Sequence, residues 1–110
     1  MKLQEIEHIF KNASKYNTLN KVGVFGSFAR NEQTKNSDID IILEYKPPVN
    51  EEDDEYIDHI GGFMEDIEEF ISLKIDYITL NGLQRSKNED FRNAILKDVR
   101  WLYVAKTENI

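Results

Sequence analysis

The sequence contains no cysteine. Disulfide frameworks and thiolate metal sites are therefore excluded, and a reducing cytoplasm is the expected home. It also lacks any apolar run near the ~20 residues that span a bilayer. Met1-Lys2-Leu3-Gln4-Glu5-Ile6-Glu7 is a charged amphipathic start, not the pattern of a signal peptide. Histidine is scarce: His8 and His59 have no second nitrogen or sulfur ligand nearby in sequence, so no histidine metal site is expected. Positive charge is in deficit as well. The formal net charge is −7, which argues against a general nucleic-acid binder.

What is present fits one small globular domain. The chain has 110 residues, 40% of them hydrophobic and 32% charged. Residues 1–110 are expected to form a single domain around one modest core. The acidity is local. Residues 51–69 hold ten carboxylates and no Lys or Arg, leaving eleven acids against fourteen bases elsewhere. The plain reading of that run is a solvated loop and helix face. The sharper reading is a surface that meets a basic partner, while the remaining chain is free to host an anion.

Periodicity predicts an α/β (α+β) domain, a small mixed sheet with packed helices. Leu3, Ile6, Phe10, Ala13 and Tyr16 recur at helical steps, and Asn17–Asn20 should break that helix. Lys21–Phe25 reads as a buried strand ending at Gly26, followed by a short helix from Ser27 to Arg30. Ile39–Tyr45 reads as a second strand, stopped by Pro47-Pro48. Tyr56/Ile57, Ile60, Phe63/Met64, Ile67 and Phe70/Ile71 predict a long helix, in which Gly61-Gly62 suggests a kink or a close backbone contact. Lys74–Leu80 reads as a third strand closed by a turn at Asn81-Gly82. Ser86-Lys87-Asn88-Glu89 has capping-box form and predicts a helix with Phe91, Ala94 and Ile95 on one side. Trp101–Ala105 reads as a final short strand, and Tyr45, Tyr56, Tyr77, Tyr103 and Trp101 as packing residues. Lys21, Lys35 and Lys74 read as surface lysines.

Three features carry chemistry. Val24-Phe25-Gly26-Ser27 puts a Gly-Ser pair where a strand gives way to a helix. Glycine permits close approach to a ligand, a helix start presents unpaired N–H groups, and Arg30 adds a guanidinium one turn on; together these suit phosphate. Ser37-Asp38-Ile39-Asp40 puts two carboxylates two residues apart, on one face as a strand begins. Asp76 lies inside the apolar strand Ile75-Asp76-Tyr77-Ile78, where a buried carboxylate is costly unless paired or metal-bound. If that strand lies beside the second, Asp76 joins Asp38 and Asp40. Three carboxylates without thiolates are hard ligands suited to Mg²⁺. Two such ions can bind the attacking and leaving oxygens of an in-line displacement, and phosphoryl-type transfer asks mainly for positioning and charge neutralisation.

Gly26-Ser27, ten residues, then Asp38-x-Asp40 resembles the signature of the nucleotidyltransferase superfamily that includes DNA polymerase β. Gly26-Ser27-Phe28-Ala29-Arg30 with Ser37-Asp38-Ile39-Asp40-Ile41 resembles the minimal nucleotidyltransferases, antitoxins often paired with HEPN-domain ribonuclease toxins. The likeness spans residues 3–105. One departure is Asn31, where the family usually has Gly; Asn tolerates positive φ best after Gly, so the turn can survive. The resemblance implies a nucleotidyltransferase fold in which Gly26 and Ser27 hold the triphosphate of ATP, with Arg30 a further phosphate contact. It implies that Asp38 and Asp40 ligate Mg²⁺, and that Asp76 ligates the catalytic metal and helps deprotonate the acceptor hydroxyl. The implied reaction transfers AMP to a tyrosine of a HEPN-type toxin, releasing pyrophosphate. Relatives that modify antibiotics or RNA carry further domains to hold the acceptor, so the acceptor here is expected on another protein, in a hetero-oligomer. No membrane and no direct nucleic-acid contact are expected. Two other readings stand beside this one: a catalytically weak antitoxin that neutralises a toxin by contact alone, and transfer to a small molecule such as an aminoglycoside.

Overall fold

The computed structural model describes residues 2–13, 19–46 and 54–105, without the side chains of residues 13, 54–57 and 59. Tyr16, Pro47-Pro48, the acids Glu51–Asp53, and the side chains of Asp54, Glu55, Tyr56, Ile57 and His59 therefore lie outside the described residues. The elements are α1 (Leu3–Ala13), β1 (Leu19–Phe25), α2 (Gly26–Ala29), β2 (Ile39–Tyr45), α3 (Asp54–Glu68), β3 (Ile75–Thr79), α4 (Leu80–Gln84), α5 (Glu89–Asp98) and β4 (Arg100–Val104). The strands form one sheet in the order β3-β2-β1-β4. β1 runs antiparallel to both β2 and β4, and β2 runs parallel to β3. The sheet is thus mixed, as the strand and helix pattern predicts. No helix among the described residues is long and apolar enough to cross a membrane.

The two faces of the central strand divide the core. Ile39, Ile41, Leu43 and Tyr45 pack with Ile6 and Phe10 of α1 and with Ile60, Phe63 and Ile67 of α3. Phe10 and Phe63 meet as a tilted ring pair with centroids 6.0 Å apart. On the opposite face Ile42 packs with Leu80, Leu83 and Ile95 of α4 and α5, flanked by Phe25, Ile78 and Trp101. Strand alternation puts Asp40, two residues before Ile42, on this second and smaller face.

Several local expectations are corrected. Asn81-Gly82 lies inside α4 rather than in an open turn, because Thr79 caps the helix by accepting from the Gly82 amide at 3.0 Å. The cap of α5 is Asn88, whose Oδ1 accepts from the Phe91 amide at 3.1 Å. Ser86 stands two residues upstream, so the capping-box reading is displaced. Of Phe91, Ala94 and Ile95, only Ile95 is buried. α3 runs unbroken through Gly61-Gly62, and a Cβ on Gly61 would meet open space, so no close contact demands a glycine at position 61. β1 begins at Leu19, which is buried and pairs with Tyr45, so the expected break ends before it.

Candidate active site

β1 ends at one edge of the sheet where β2 and β3 begin, and that shared end gathers the predicted residues. Phe25 is registered with Asp40 across the antiparallel pair, and Asp40 with Asp76 across the parallel one. Registered neighbours project to the same face, so Asp40 lies between Asp76 and the β1–α2 junction. Asp38 precedes β2 and shares the parity of Asp40.

The chain turns at Gly26 with φ +69°. A Cβ there would lie 2.6 Å from Oδ2 of Asp40. Glycine at this bend thus answers two demands, a left-handed backbone and room for a carboxylate. Ser27 follows in α2, whose N-cap, Phe25, offers no side-chain acceptor to the first amides of the turn. The turn closes at Asn31, φ +58°, in the left-handed conformation that Asn tolerates best after Gly.

Burial pushes the Asp40 carboxyl above the usual carboxylate range, and the negative charges of Asp76 and Asp38 push it further; Arg30 opposes them. Asp40 therefore feels both other acids, although 38 residues separate Asp38 from Asp76. Asp76 itself is exposed. The expectation of a buried carboxylate is corrected: β3 is an edge strand, and its acid faces solvent at the sheet end, not the core. Lys74 does not neutralise Asp76 by contact; its Nζ lies 3.9 Å from Oδ2 of Asp38.

Arg30 is held by two acids. Its Nη1 donates to Oδ2 of Asp98 at 2.7 Å and its Nε to Glu32 at 3.1 Å. Both bonds raise the guanidinium pKa, Asp98 more strongly. Asp98, at the end of α5, is the partner that sequence reading missed; a pair 68 residues apart leaves no local signal. Lys21 is also engaged, with Nζ 4.3 Å from the centroid of the Trp101 ring.

Among the described residues, no three His, Cys, Asp or Glu side chains close into a ready-made metal cluster. The donor set nevertheless suits a hard divalent cation. It consists of carboxylate oxygens alone, and their mutual repulsion is what such a cation relieves.

Residues 3–102 match the model of the nucleotidyltransferase domain. The chain belongs to that family. It is 34% identical over 86 residues to a protein of Methanocaldococcus jannaschii provisionally named a protein adenylyltransferase, covering 74% of this chain and 81% of the relative. A second such protein from the same organism is 36% identical over 85 residues, with the same coverage. Among solved structures, one provisionally named a minimal nucleotidyltransferase superposes with a TM-score of 0.65 at 17% identity, over 91% of this chain and 95% of that one. A toxin–antitoxin complex with AMP-PNP superposes with a TM-score of 0.58 at 14% identity, over 94% of this chain and 73% of that one. At such identities the two structures speak for the nucleotidyltransferase fold.

Proposed function

We propose that this nucleotidyltransferase is a protein adenylyltransferase, moving AMP from ATP to a tyrosine hydroxyl of a HEPN-type toxin in the cytoplasm, and that residues 1–110 form a single catalytic domain. The observation that carries the reading is the row Asp76–Asp40–Phe25 across three strands, ending at the Gly26 bend. Relatives provisionally named protein adenylyltransferases and a fold neighbour from a toxin–antitoxin complex support the choice of donor and partner.

Gly26 and Ser27 hold the triphosphate in this reading, and Arg30 adds a phosphate contact. Asp38, Asp40 and Asp76 would hold Mg²⁺, two ions in the full complement. When bound, Mg²⁺ neutralises the carboxylates and the charge that develops on the phosphoryl oxygens. Asp76, solvent-facing, takes the proton of the entering hydroxyl. The hydroxyl oxygen attacks the α-phosphorus, the bond to the β-phosphate oxygen breaks, and pyrophosphate leaves. Pre-set positions of acceptor and phosphate account for the rate without a covalent enzyme intermediate.

The test is incubation with α-labelled ATP, Mg²⁺ and a cognate HEPN-type toxin. Label should appear on the toxin and vanish with Asp38→Asn or Asp40→Asn. Toxin neutralisation that survives both changes would instead identify an antitoxin acting by contact.

A further inference from the structure

The strand order gives the site two sides. Gly26 and Ser27 lie beyond Asp40 toward β1, and the free edge of β3 lies beyond it toward Asp76. In-line displacement requires the entering and leaving groups on opposite sides of the phosphorus. With the triphosphate on the β1 side, the acceptor must enter along β3.

A cavity of about 460 Å³ opens there, one residue past Asp76. Ile78 and Leu83 line it together with Tyr77, Phe91 and Ser86. Ile78 shares the strand face of Asp76 and Tyr77 takes the opposite one, so the cavity lies at the free edge of β3, beside the acid. Tyr77 and Phe91 are 47% and 51% exposed, so neither serves the core. A cavity of this size, apolar with an aromatic rim, suits a ring-bearing group.

We propose that this cavity seats the acceptor: an aromatic, phenol-bearing side chain of a partner protein, its ring against Phe91 and Tyr77 and its hydroxyl directed to Asp76. The inference rests on the adenylyl-transfer reading. The phenolic oxygen forms the new bond to the α-phosphorus, its proton passes to Asp76, and pyrophosphate departs on the β1 side. Phe91 and Tyr77 thereby become specificity residues that select a ring-bearing hydroxyl over an aliphatic one.

The test separates binding from chemistry. The full ¹⁵N-labelled chain is titrated with N-acetyl-tyrosinamide, N-acetyl-phenylalaninamide and N-acetyl-serinamide. Both aromatic probes should shift the amides of Ile78, Gly82, Ser86 and Phe91, and the serine probe should not. Phe91→Ser and Tyr77→Ser, both at exposed positions, should each weaken the aromatic probes by ~10-fold. With ATP and Mg²⁺, Phe91→Ser should raise the KM for N-acetyl-tyrosinamide by a similar factor and leave the KM for ATP unchanged. Ring binding without transfer to either the probe or a cognate toxin would sink the adenylyl-transfer reading and keep the pocket. Transfer with an unaltered acceptor KM, aromatic probes that shift none of these amides, or a KM change for ATP instead, would overturn the pocket assignment.

Discussion

The Cα of Gly26 and the carboxylate of Asp40 share a space that no side chain can enter: a Cβ on Gly26 would sit 2.6 Å from Asp40 Oδ2. The bend and the acid that follows it by 14 residues are thus one unit. Gly26→Ala should cost ~1–2 kcal/mol from the left-handed backbone alone, and it should also displace Asp40. The expected result is a lowered Tm together with loss of transfer activity. An alanine variant with wild-type Tm and activity would refute the shared constraint.

Asp40 makes stability depend on pH in a definite direction. Its folded pKa is raised, so the folded chain keeps the proton to higher pH than the unfolded chain does. Stability therefore falls as pH rises from the ordinary carboxylate range through the raised value. Asp40→Asn removes that loss. At neutral pH the variant should melt slightly higher than the wild type, by roughly 1–3 °C given partial solvation. Below about pH 3 the difference should vanish. Mg²⁺ should raise the Tm of the wild type more than that of Asp40→Asn, and a chelator should reverse the gain. Melting curves across pH, with and without the ion, decide it.

Two glycines should respond to alanine with opposite signs. A Cβ on Gly23 would meet the Arg100 carbonyl oxygen at 2.7 Å and the Trp101 ring at 3.0 Å, where β4 approaches β1 at a register shift. Gly23→Ala should destabilise by ~1–3 kcal/mol, since backbone must move. Gly61 lies exposed in α3 with open space around it. Gly61→Ala should stabilise by up to ~1 kcal/mol. Urea denaturation of both variants reads the signs directly.

The Arg30–Asp98 pair is expected to tune nucleotide binding rather than stability. Both side chains are partly exposed, so Asp98→Asn should change stability by no more than ~1 kcal/mol. It frees one arm of a guanidinium whose charge reaches Asp40. Arg30→Ala should raise the KM for ATP by roughly five- to tenfold, and Asp98→Asn should lower it modestly. If neither variant moves that KM, Arg30 serves only to tie α2 to α5.

Much of the site was legible in the linear order of residues. Gly26-Ser27 and Asp38-x-Asp40 are close in sequence, and period-two alternation places both aspartates on one face. Apolar spacing located α1, β1, β2 and α3, because each contributes buried apolar residues to the same core. Two local signals misled, one through a neighbouring cap and one through the packing of whole elements. Asn81-Gly82 reads as a turn until Thr79 caps it into a helix. Tyr77 reads as a packing residue and Phe91 as one of a helix side with Ala94 and Ile95, yet both flank a cavity.

Chain chemistry alone points to a ligand type, since a cysteine-free set of aspartates beside a Gly-Ser bend suits hard cations and phosphate. It could not settle who stands beside whom. That Asp76 faces solvent rather than the core depends on β3 being an edge strand, and edge position is a property of sheet order. That Asp98 restrains Arg30 depends on α5 returning across α2. Such long-range placements arise from the packing of whole elements around β2, and no short stretch of sequence encodes them.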